Sequence, residues 1–138
     1  MSPEHLPVTL HRRVRARAGD RCEYCRLAQT MQEATFHIDH VVPRSAGGPT
    51  TLANLALACV SCSLRKGART RAVDPSTGEE AAIFHPRTEE WSAHFDVTPS
   101  CEIVGRTAAG RATVDLLQLN RRLAVAIRRE EHSRARWP

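Results

Sequence analysis

Four of the five cysteines fall into two pairs of identical spacing, Cys22-Glu23-Tyr24-Cys25 and Cys59-Val60-Ser61-Cys62. Two residues between ligands let one tight turn aim both thiolates at a single ion, and two such turns complete the tetrahedron that zinc favours. Thirty-three residues lie between the pairs, so an ion held there joins distant stretches of chain. Disulfides or unrelated buried thiols are the alternative. Disulfides do not persist in a reducing cytosol, and each would close only a tiny loop. A four-sulfur site leaves no open position for substrate, so it organises structure without doing chemistry. Cys101 lies outside both pairs and reads as a small buried strand residue.

Chemistry is expected instead from Asp39-His40, an adjacent carboxylate and imidazole between the pairs. An imidazole titrates near neutrality and suits a base that deprotonates water; a carboxylate is a hard oxygen ligand for a divalent cation. Hydrolysis of a phosphodiester needs both. Out of context, Asp-His is also what a surface salt bridge or a capped strand end looks like.

The elements around this dipeptide can be read from pattern. Residues 35–42, Thr-Phe-His-Ile-Asp-His-Val-Val, are rich in β-branched and aromatic types and stop at Pro43, which predicts a strand. Neighbours on a strand point to opposite faces, so one compact site needs a twist or a strand end here. Ser45-Ala46-Gly47-Gly48-Pro49 is loop chemistry. Residues 54–58 predict a second strand, and residues 61–66 a short helix that Gly67 ends. The local order is strand, loop, strand, helix, pinned at both ends by one zinc.

Taken together, Cys22-x2-Cys25, His37-Ile-Asp39-His40-Val-Val-Pro43, Gly47-Gly48, Asn54-Leu55, Cys59-x2-Cys62 and Lys66-Gly67 resemble an HNH endonuclease of the zinc-stapled ββα-metal group. The resemblance covers residues 20–70. It implies an α+β fold, a structural Zn2+ on Cys22, Cys25, Cys59 and Cys62, and a catalytic divalent ion such as Mg2+ or Mn2+. It assigns His40 as general base, Asp39 as ion ligand and Asn54 as the residue that ties the loop down; a free loop asparagine would instead be a turn former. The implied products carry 5′-phosphate and 3′-hydroxyl ends. Ser63 departs from the pattern, which commonly has His or Asn after the last cysteine to complete the ion's protein ligands. His37, on the same strand face as Asp39, is a compensating ligand or phosphate contact, or else an imidazole packed beside the zinc turn. The alternative function is therefore a zinc-organised nucleic-acid-binding module with lost or weak cleavage. Residues 79–129 resemble the tail that often follows this motif: Phe84-His85-Pro86-Arg87, Trp91-x2-His94-Phe95, Gly110-Arg111-Ala112-Thr113-Val114 and Leu119-Asn120-Arg121.

Composition agrees with an anionic partner. Across 138 residues, 20 Lys+Arg against 15 Asp+Glu give +5, and Lys66 is the single lysine. Arginine presents a planar fork that pairs with phosphate oxygens. Arg44, Arg65, Lys66, Arg69 and Arg71 are the expected nucleic-acid contacts, with DNA the expected substrate; a solvated face is the bland reading. No apolar run approaches the ~20 residues of a membrane span, and Met1-Ser2-Pro3-Glu4 does not read as an export signal, so a cytoplasmic location is expected. We expect a single domain over 1–138, with core 20–70 and an extension over 79–132 packed on it. A helix over 8–18 is ended by Gly19, with Arg12, Arg13, Arg15 and Arg17 around it, and residues 74–78 form a turn. Ile83-Phe84, Trp91, Phe95 and Ile103-Val104 are expected to pack the extension, Trp91 and Phe95 as core rather than a base-stacking platform. From Thr107 the pattern is helical, with Val114, Leu117, Leu123 and Ile127 apolar and Asn120 capping a break. His5, His11, His85, His94 and His132 show no ligand spacing. Oligomeric state is not legible.

Overall fold

The computed structural model describes residues 6–137; His5 and the residues 1–4 read for an export signal lie outside that range. Its first helix, α1 (Val8–Arg17), turns Val14 into the core and leaves Arg12 and Arg13 exposed. Gly19 follows at φ +62, a conformation that breaks the helix and suits a residue without a Cβ.

Strand β1 (His37–His40) pairs antiparallel with β2 (Leu55–Ala58), with His37 opposite Ala58, Asp39 opposite Ala56 and His40 opposite Leu55. All four β2 residues are buried, which is why that run is continuously apolar. Both strands are shorter than the sequence pattern predicts. The backbone N–H and C=O of Val42 are taken by the Asn54 side chain rather than by a partner strand, so β1 ends at His40. Asn54 itself closes a 3-10 turn, Leu52–Asn54, ahead of β2. Helix α2 (Val60–Lys66) follows, capped by the Cys59 sulfur and ended at Gly67, φ +53.

The extension holds two more antiparallel pairs, β3 (Arg71–Val73) with β4 (Glu80–Ala82) and β5 (Phe95–Val97) with β6 (Ile103–Gly105), and a short helix α3 (Trp91–His94). Helices α4 (Ala108–Leu117) and α5 (Arg122–Ser133) complete an α+β fold. Helix α4 packs against α2, β3, β4 and β6. Gly110 makes that fit possible: a Cβ there would lie 2.1 Å from the His94 carbonyl oxygen. Arg111 forks onto both oxygens of Asp74 at 3.0 and 2.8 Å, tying α4 to the β3–β4 turn. Phe84, Phe95 and Ile103 are buried, whereas Val104 is exposed. Trp91 lies 4.9 Å from the Phe95 ring, its indole N–H donates to the Tyr24 carbonyl at 2.9 Å, and the Arg26 guanidinium covers it. It is a packed residue.

Four expectations need correction, the first being Val104, which was expected to pack the extension and is 48% exposed. Cys101 is buried but sits in a turn at φ +66, not in a strand. Asn120 does not cap α5; its amide bridges the N–H and C=O of Ile103 at 2.7 and 2.8 Å, tying the α4–α5 junction to β6. Leu123, in the first turn of α5, is 70% exposed, whereas Ala124, Val125 and Arg128 are buried positions of that helix. Among the described residues no helix is long and apolar enough to cross a membrane.

Candidate active site and metal centre

The two cysteine pairs converge. The Sγ atoms of Cys22, Cys25, Cys59 and Cys62 all lie within 4.8 Å of one another, and all four residues are fully buried. Cys25 and Cys59 Sγ are 3.7 Å apart, close to the edge of about 3.8 Å for a tetrahedron of Zn–S bonds near 2.3 Å. The donor set therefore fits a structural zinc. Backbone N–H groups of Cys25 and Cys62 donate to the sulfurs of Cys22 and Cys59, both at 3.4 Å. Hydrogen bonds from Cys22, Cys25 and Cys62 lower the Cys59 pKa, whereas burial raises that of Cys22. The Arg121 Nη2 also donates to the Cys59 Sγ, at 3.5 Å.

One open cleft of about 540 Å³ is lined by His37, Ile38, Asp39, His40, Pro43, Arg44, Ser63, Gly67 and Ala68. Asp39 lies at its base, 9% exposed. Its Oδ2 accepts from the Tyr24 hydroxyl at 2.9 Å and faces the Lys66 ammonium at 3.2 Å; its Oδ1 meets that ammonium only at 3.5 Å. Burial raises the Asp39 pKa, opposed by Lys66 and Tyr24, which favour the carboxylate. Lys66 corrects an expectation. It is 1% exposed and its Nζ also donates to the His40 carbonyl at 3.1 Å, so it braces β1 from beneath and presents no cation to a phosphate.

His40 ends β1, and this position lets it share the cleft with Asp39 despite strand alternation. Its Nε2 lies 2.9 Å from the Thr50 Oγ1. Asn54 clamps the loop between: Oδ1 accepts from the Val42 N–H at 2.9 Å, and Nδ2 donates to the carbonyls of Val42 (3.0 Å) and Pro49 (2.9 Å). Gly48 is required there, since a Cβ would lie 1.8 Å from the Val42 oxygen. His37 is exposed rather than packed, and its Nδ1 lies 2.9 Å from the Ser63 Oγ.

Of the expected nucleic-acid contacts, Arg44 lines the cleft, Arg65 and Arg69 are exposed nearby in sequence, and Arg71 is exposed beside Glu80 at 3.3 Å. Tyr24, Thr50 and the Arg121–sulfur contact were not foreseen. Tyr24 had one signal, its place between two ligand cysteines, which obliges the turn to orient it. His85 and His132 make local hydrogen bonds and His94 reaches the Thr107 hydroxyl at 2.6 Å, and among the described residues the four cysteines are the one group of three or more metal-donor side chains brought together.

No curated protein and no solved structure matches the chain. Residues 22–69, the stretch from the first zinc-site cysteine to just beyond α2, match the HNH endonuclease family.

Proposed function

We propose that this chain is a metal-dependent endonuclease that hydrolyses phosphodiester bonds in DNA, with His40 as general base and Asp39 holding the divalent ion. The observation that carries the reading is that Asp39 and His40 line one cleft, on a strand that shares its sheet with the stretch entering the cysteine cluster.

The donors facing the cleft suit a hard cation in part. Asp39 Oδ1 makes the longer of the two contacts to Lys66, at 3.5 Å, and His37 and Ser63 line the same cleft. Magnesium commonly takes one or two carboxylates and fills its remaining positions with water and phosphate oxygens. When bound, such an ion supplies positive charge to the scissile phosphate. The chain's own groups do the rest. With His40 Nε2–H donating to the Thr50 hydroxyl oxygen, Nδ1 is left unprotonated to accept the proton of an attacking water. Asn54 and Gly48 hold the loop that carries Thr50, and Lys66 fixes the His40 backbone through its carbonyl. Arg44, Arg65, Arg69 and Arg71 then track the phosphate backbone, in keeping with a net charge of +5.

A second reading, nucleic-acid binding without cleavage, is favoured by one observation: Ser63 stands where the resemblance expects an ion ligand, and its hydroxyl is engaged with His37. Zinc-loaded protein mixed with supercoiled plasmid, and in parallel with RNA, across Mg2+ and Mn2+ separates the two. The first reading predicts nicked plasmid that DNA ligase reseals, because the ends are 5′-phosphate and 3′-hydroxyl. Plasmid retention without nicking in every metal favours the second, and cleavage of RNA alone reassigns the substrate.

A further inference from the structure

We propose that Arg121, presented from the α4–α5 junction, is the charge-compensating partner of the zinc–tetrathiolate centre, so that the C-terminal extension sets how tightly the nuclease core retains its metal. Four thiolates around one divalent ion carry two net negative charges, and here all four cysteines are fully buried. A buried charge is costly unless paired. The two backbone donors to sulfur, from Cys25 and Cys62, are neutral dipoles. Arg121 adds a full cation, its Nη2 donating to the Cys59 Sγ at 3.5 Å.

The guanidinium is well placed for that role. Its other terminal nitrogen donates to the Gln118 carbonyl at 3.2 Å, which fixes the fork. The preceding residue, Asn120, is bonded to both backbone groups of Ile103, which fixes the junction itself. Arg121 lies outside residues 22–69, the segment that matches the nuclease family, and it accounts for the Leu119-Asn120-Arg121 element of the tail. Donation from a cation withdraws electron density from a coordinated thiolate, so protons and competing electrophiles displace the metal less readily. Partners of this kind typically change metal affinity by about 10–100-fold.

The test uses the full chain, zinc-loaded, with release to a chromophoric chelator, and the same chain with Co2+ in place of zinc. Arg121→Met keeps most of the packing and removes the charge: zinc affinity falls about 10–100-fold, and the sulfur-to-cobalt charge-transfer band moves to lower energy as the thiolate becomes more electron-rich. Arg121→Lys restores part of both effects, and it replaces the Met variant if that chain does not fold. Faster release with an unmoved band is a packing defect and overturns the proposal, as does unchanged affinity in the Met variant. Neither readout involves cleavage, so the result stands apart from the chemistry of the cleft.

Discussion

The Tyr24 hydroxyl donates to the Asp39 carboxylate across 2.9 Å, from a side chain only 1% exposed. Tyr24 stands between Cys22 and Cys25, so the turn that brings two cysteines to the cluster also aims the carboxylate of the cleft. Lys66, one turn beyond Cys62 on α2, holds the same carboxylate from the other side. Both halves of the zinc site thus reach Asp39 through one residue each.

Replacing Tyr24 with Phe removes that donor and little volume. A hydrogen bond to a charged group contributes about 1.5–3 kcal/mol, so the nicking rate should fall at least about 10-fold. Zinc content, read by metal analysis of the purified protein, should stay at one per chain. An unchanged rate would mean that Lys66 alone positions Asp39.

Asn54 satisfies three backbone groups of the loop. Asn54→Ala strands the part-buried N–H and C=O of Val42, and unfolding in urea should show a loss of about 1–3 kcal/mol. Gly48→Ala attacks the same clamp sterically and should abolish nicking while zinc binding persists, because the cysteine cluster lies at the other end of β1 and β2.

Ser63→Asn places an amide where the resemblance expects an ion ligand and releases His37 from its 2.9 Å partner. Nicking at low Mn2+ should rise, with little change at saturation. A fall at both concentrations would indicate that the His37–Ser63 pair itself serves the site.

Arg111 holds the Asp74 carboxyl down at about 2, below its ordinary 3.8. The sign is that of a depressed acid: the folded state keeps the carboxylate ionised, so the pair stabilises above pH ~4 and is lost as pH falls toward 2. The gap in urea midpoint between wild type and Asp74→Asn should be constant from pH 7 to about 4, then narrow. Thiol protonation strips zinc from both chains alike, so the gap isolates the carboxylate.

Much of this architecture was legible beforehand, for physical reasons that differ by residue. Ligand spacing announced the cysteine cluster because tetrahedral coordination admits few spacings, and β2 was legible because an all-buried strand must be all apolar. Lys66 was not, since a lysine in the last turn of a short helix is ordinarily solvated; only the packing of α2 under β1 shows its ammonium beneath the sheet. Thr50 was hidden because its role depends on where a glycine-rich loop folds back, which Asn54 decides from across 12 residues. Asn120 was misread as a cap because a bond to Ile103, 17 residues away, leaves no local mark.

The central claim is that the His40 imidazole draws the proton from water in a cleft organised by the cysteine cluster. Single-turnover nicking of supercoiled DNA by zinc-loaded wild type and His40→Ala, at saturating Mn2+ and with matched zinc content, tests it most directly. Loss of a general base predicts a fall of about 10²–10⁴-fold. Equal rates for the two proteins would contradict the account.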